Sequence, residues 1–373
     1  MLNVDLDKFW EDDELSHQAN CFSEKAPQVA LGISMSDECV FAELGVEGDP
    51  WGTTSREQRI RLNKRYNDKA EKVVGKRLLK EDFPTDDEIF PYVKRIGEVF
   101  EGTYTLNNKT GEWLKGKAKT PQDLEGLLDR VDKLNLREFI LSSNWEKEKK
   151  RILDRYGRKS DLNRWIRGPV TLGMSIYGED NLMYLYYDEP ELYERFSKTI
   201  ARVIIEMGII MDVEAGYEEG KAPKGFGFAD DNCALLSPEM YEVFGYPVLK
   251  QVFDYYSPKE EDNRFQHSDS SMAHLLPILG RLNLTGCNFG PTVLVDEIRK
   301  HMPKTRIDGC IAPYTFMNNN IEGLIVEAKR DCEMIKKTGT KGLNLTTAGS
   351  INNGSSLESM RTIMQVIQTY GRY

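Results

Sequence analysis

From Arg167 to the end of the chain, short strand-like runs that close on polar or glycine-rich residues alternate with helical patterns, and this rhythm constrains the fold most. Arg167-Gly168-Pro169-Val170-Thr171-Leu172 leads into Ser175-Ile176-Tyr177-Gly178, which reads as a strand and turn. Gly225-Phe226-Gly227-Phe228-Ala229 runs into Asp230-Asp231. Runs over 264–269, 282–290, 306–313 and 342–350 follow, each succeeded by a helical pattern. Strands alternating with helices over short connections favour a closed parallel barrel, an α/β fold of the (β/α)8 TIM-barrel class. Such a barrel gathers its chemistry at the C-terminal strand ends, where these polar clusters fall. Neither a GxGxxG nor a GxxxxGK[ST] phosphate loop is present, so a nucleotide-binding open sheet is the weaker alternative.

The N-terminal half is organised differently. Residues 1–25 are polar and acidic and read as an arm or a partly ordered helix, with 26–373 forming one barrel domain. Val29 to Ile33 looks like the first strand. The charged region from Trp51 to about Gly157 is an expected helical and hairpin insertion over the barrel mouth. Within it Thr120 can cap a helix with Pro121 at its first position, and Leu124, Leu127, Leu128 and Val131 share a face. The stretch from Gly97 to Trp113 reads as a hairpin-like excursion.

Charge and cysteine content narrow the function. A net charge of −10 argues against a broad nucleic-acid surface. No stretch approaches the ~18 apolar residues of a membrane span, and the acidic start lacks the features of a secretory signal. A cytoplasmic protein is expected. Six cysteines without a CxxC pair argue against a disulfide framework.

Several segments carry a family resemblance. Arg167-Gly168-Pro169, Asp230-Asp231 followed by Leu236-Ser237-Pro238-Glu239, Gln266-His267-Ser268-Asp269, and the stretch from Gly342 to Ile351 are similar to the uroporphyrinogen decarboxylase superfamily of (β/α)8 barrels. The resemblance spans about Val29 to Tyr373. It implies either a decarboxylase or a methyltransferase that exchanges methyl groups with a corrinoid (cobalamin) carried by a partner protein. The decarboxylase branch holds substrate carboxylates with arginines near its first strand, and here no arginine precedes Arg56. The methyltransferase branch binds zinc through a His-x-Cys pair and a later cysteine. His267 matches that histidine, Asp269 stands in place of the first cysteine, and Gly349 or a neighbour stands in place of the last.

The implied activity is therefore corrinoid-dependent methyl transfer from a small methylated donor, with an aryl methyl ether preferred over a thiol. Metal-independent decarboxylation and a catalytically idle binding subunit are the alternatives. His267, Asp269 and Cys310 are the candidate zinc ligands; Asp230, Asp231 and His267 are the candidate catalytic residues. Ser175, Tyr177, Asn288, Phe289, Tyr314 and Thr347 are expected to line a pocket for a small neutral aromatic. Each has a plainer reading: the aspartates as helix caps, His267 as a hydrogen-bonded strand residue, Cys310 as buried filler. The resemblance also implies a homodimer.

Overall fold

The computed structural model describes residues 4–48, 54–107, 111–218 and 220–373. Trp51, the expected start of the insertion, and residues 1–3 of the expected arm lie outside the described residues. Among the described residues nine strands follow in chain order: β1 (Ala30–Leu31), β2 (Thr103–Asn107), β3 (Gly111–Lys115), β4 (Trp165–Arg167), β5 (Phe226–Ala229), β6 (Arg264–Ser268), β7 (Gly286–Phe289), β8 (Arg306–Ile311) and β9 (Leu343–Thr347). Seven form one sheet in the order β1-β9-β8-β7-β6-β5-β4. The pairs β1–β9, β9–β8, β8–β7 and β5–β4 are parallel. The last strand lies beside the first, and helices fill the crossovers, as the (β/α)8 barrel fold requires. The expected excursion is the antiparallel β2–β3 hairpin.

The chain divides into two compact units, Met1–Phe83 with Gln266–Tyr373, and Pro84–Phe265, the division falling inside β6. In the first unit, β8 and β9 are backed by the helix Ile321–Lys337 and β1 by the helix Leu357–Tyr370. The acidic N-terminal segment forms the helix Leu6–His17 and is tied down by its own carboxylates. Asp13 accepts the backbone N–H of Leu31 at 2.7 Å, and Asp12 pairs with Arg372 at 2.5 Å.

In the second unit, the 25-residue helix Pro190–Glu214 packs against Pro238–Tyr256. Phe196, Ile200, Val203 and Met207 recur at helical spacing and are buried, each worth roughly 1.5–3 kcal/mol of transfer free energy. Ser237 caps the second of these helices by accepting the Met240 N–H, as its Ser-Pro-Glu start suggests. Thr120 and Asp123 form a capping box on Pro121–Asp132, whose buried face is Leu124, Leu127, Leu128 and Val131.

One strand expectation is overturned. Ser175 and Tyr177 end no strand: only Trp165–Arg167 is extended, and Pro169–Tyr177 is a helix. The run is apolar on every side, so periodicity does not separate a buried strand from a buried helix. Pro169 at the first helical position and a carboxylate bonding the helix start decide the matter.

Candidate functional site

The C-terminal end of β6 presents His267, half-buried, and the loop beyond it presents Asp269, exposed. A ring nitrogen of His267 and a carboxylate oxygen of Asp269 lie within 4.8 Å of one another. His267 Nδ1 also lies 2.7 Å from Oδ1 of Asn288, near the end of β7. The orientation of that amide is settled from its other side. Asn288 Nδ2 donates to the carbonyl oxygens of Thr347, at 3.0 Å, and of Asp308. Oδ1 is therefore the atom facing the imidazole, and it can only accept. Nδ1 carries the proton, and the lone pair of a neutral ring is on Nε2.

Residues along β8 and β9 anchor this arrangement. Asp308 receives Arg306 through two bonds of 2.7 and 2.8 Å and Asn344 at 3.0 Å. The hydroxyl of Thr347 donates to the Gly349 carbonyl at 2.8 Å. A Cβ built on Gly349 would fall 3.2 Å from Asp269 Oδ2. The carboxylate of Asp269 thus stands against the space that a side chain at 349 would occupy.

In the other unit, Asp230 follows β5 and is 0% exposed. Its Oδ1 accepts the Thr171 N–H at 2.7 Å and its Oδ2 the Val170 N–H at 3.3 Å, so it bonds the first turn of helix Pro169–Tyr177. Burial pushes its carboxyl up to about 6 against those stabilising N–H groups. A Cβ at Gly168 would sit 2.2 Å from Asp230 Cβ, so only glycine admits this approach. Asp231, half-buried, opens the short helix Asp231–Leu235.

Several candidates are placed elsewhere than expected. Tyr177 and Phe289 are buried core residues. Ser175 sits on a helix and donates its hydroxyl to Thr171 O at 2.7 Å. Tyr314 belongs to the short helix Pro313–Met317 and is 74% exposed. Thr347 is buried and contributes through its carbonyl. Cys310 is fully buried on β8 with its thiol pushed up by desolvation, and it joins no cluster of metal-ligating side chains among the described residues. Asp308, Arg306 and Asn344 were not singled out by the sequence. Their alternation along strands gave a signal of facing, but not of partners.

Comparison with known proteins follows this geometry. No curated protein sequence matches the chain. A solved structure, a methyltransferase from Methanosarcina mazei, superimposes with a TM-score of 0.57 at 15% identity, covering 92% of this chain and 94% of that one. That likeness is one of fold. The uroporphyrinogen decarboxylase (URO-D) family matches residues 118–370, more than half of the sequence, and the chain belongs to that family.

Proposed function

We propose that this protein is a corrinoid-dependent methyltransferase, moving a methyl group from a small methylated donor, an aryl methyl ether in preference, to the cobalt of a corrinoid-bearing partner protein. The observation that carries the reading is the pinned imidazole of His267 with the Asp269 carboxylate beside it. Metal-binding histidines commonly donate their second nitrogen to an oxygen that fixes ring and tautomer, which is the service Asn288 performs. His267 and Asp269 are the residues we assign to a zinc ion. Imidazole with a carboxylate is a sound donor set for zinc, and it is poorer in charge donation than a thiolate set.

When bound, zinc would supply a Lewis acid that polarises the ether oxygen of the donor. The chain's own residues do the rest. Asn288 keeps Nε2 of His267 turned away from the β7–β9 strands that it bonds, and the Arg306–Asp308–Asn344 set holds the carbonyl on which Asn288 depends. With no sulfur ligand, an oxygen-leaving donor is favoured over activation of a thiol nucleophile.

The test is to mix the purified protein, after zinc analysis, with cob(I)alamin and aryl methyl ethers, and to follow loss of the cob(I) spectrum. We expect stoichiometric zinc and methyl transfer that His267→Ala and Asp269→Ala abolish. No transfer across a panel of ethers, amines and thiols would overturn the reading. Carbon dioxide release from a carboxylated substrate, unaffected by chelators, would replace it with the decarboxylase alternative.

A further inference from the structure

The unit Pro84–Phe265 holds a cavity of about 650 Å³ that the assignments above leave without a purpose. Its apolar walls are Phe90, Tyr104, Trp145, Trp165, Met207 and Met211. Trp165 on β4 is 52% exposed, its ring packed against Phe265 on one side. Aromatic and thioether walls suit a flat apolar body.

The polar part of the lining is unbalanced. Arg95 is neutralised by a two-pronged pair with Glu112 and lies 3.5 Å from the centre of the Tyr104 ring. Of the other acids, Glu88 is committed to the backbone N–H and hydroxyl of Thr85, at 2.7 Å each, and Asp161 is exposed. Arg158 and Arg167 also line the cavity, are half-buried, and make no hydrogen bond or ion pair among the described residues. Arg167 acts on Glu112 only through space, that acid being bonded by Arg95, and two guanidinium groups without a hydrogen bond beside one cavity stand out in a chain whose net charge is −10. A half-buried cation without a partner gives up solvation for nothing unless something occupies its place.

We propose that this cavity binds a small aromatic carboxylic acid. Arg158 and Arg167 receive the carboxylate, and the ring lies among Trp145, Trp165 and the two methionines. Arginine is suited to the task because its planar fork matches a carboxylate's two oxygens. None of the residues assigned to zinc takes part, so this site stands or falls separately from the methyl-transfer reading.

The experiment is a titration of the full chain with benzoate, read by calorimetry and by the fluorescence of the wall tryptophans, before and after metal removal with a chelator. Benzyl alcohol and inorganic phosphate serve as controls for the ring alone and the anion alone. Benzoate is expected to bind at least about tenfold more tightly than either control, and equally with and without metal. Arg158→Gln and Arg167→Gln should each weaken it by about tenfold or more. Should Arg167→Gln fail to fold, Arg158→Gln decides the matter. Benzoate that fails to bind, binds no better than benzyl alcohol, or is indifferent to these substitutions overturns the proposal. Phosphate binding as tightly as benzoate overturns it too, by reducing the cavity to a general anion site.

Discussion

Asn288 Oδ1 accepts from His267 Nδ1 at 2.7 Å, and the same amide cannot turn over, because its nitrogen donates to two strand carbonyls, those of Asp308 and Thr347. The imidazole is thereby supplied in one tautomer. A free amide would offer its nitrogen or its oxygen; this one has no choice, and its rigidity comes from backbone atoms of β8 and β9.

That relationship gives the first prediction. Asn288→Leu removes the acceptor while preserving side-chain volume, so zinc affinity should fall about 10- to 100-fold. Competition against a chromophoric chelator measures it, with the melting temperature recorded alongside. Unchanged affinity in a well-folded variant would remove Asn288 from any role in positioning the ring.

A second prediction concerns Gly168. The methyl group of Gly168→Ala would lie 2.2 Å from Asp230 Cβ, with backbone on one side and a fully buried acid on the other. We expect a loss of about 3 kcal/mol, at the upper end of overpacking costs, seen as a lower urea midpoint. Gly126→Ala, where the nearest contact is 3.4 Å and is the end of an arginine side chain, is the control and should be neutral or slightly stabilising.

Glu214 provides a third. Its side chain is 2% exposed, and it accepts from Trp145 Nε1 at 2.7 Å, from Arg137 at 2.7 Å and from Lys149 at 2.5 Å. Burial alone would raise this carboxyl, but Lys149, Trp145 and Arg137 together hold it below the ordinary range. Glu214→Ala strands a buried indole N–H and two cations, and should cost about 3 kcal/mol. Glu214→Gln, which keeps an acceptor, should cost less. Chemical denaturation of the two variants distinguishes them.

The fourth is a pH dependence. The hydrogen bond to Asp13, helped by Cys21, raises His17 from its ordinary 6.5 to about 10. His17 Nε2 lies 3.4 Å from Asp13 Oδ2, and the other oxygen of that acid holds Leu31. A histidine raised on folding stabilises fully below its unfolded value and loses that contribution as pH climbs through its folded one. The melting temperature of the wild type should therefore fall from about pH 6.5 to about pH 10 more steeply than that of His17→Gln. Parallel curves would show that the pair does not couple to folding.

Local rules were legible where the deciding atoms are near in sequence. Thr120, Pro121 and Asp123 specify a helix start within four residues, and Ser237-Pro238-Glu239 does the same. The polar residues at the ends of β5, β6 and β7 were visible as breaks in apolar runs. The run from Val170 to Tyr177 was misread because its helical state depends on Asp230, sixty residues away by the Val170–Asp230 bond. Phe289 and Cys310 lie on strands as expected, yet whether a strand residue is covered depends on what packs over it. The cavity left no trace in the sequence. Its cations come from Arg158 and Arg167, its aromatic walls from Phe90, Tyr104 and Trp145, and no single window contains them.

The clearance between Gly349 and Asp269 bears on what position 349 can carry. A Cβ there would meet Asp269 Oδ2 at 3.2 Å on a backbone of φ +155°, so the carboxylate would have to give by a few tenths of an ångström. A longer side chain at 349 and the acid at 269 draw on the same space, and adding the one is expected to displace the other.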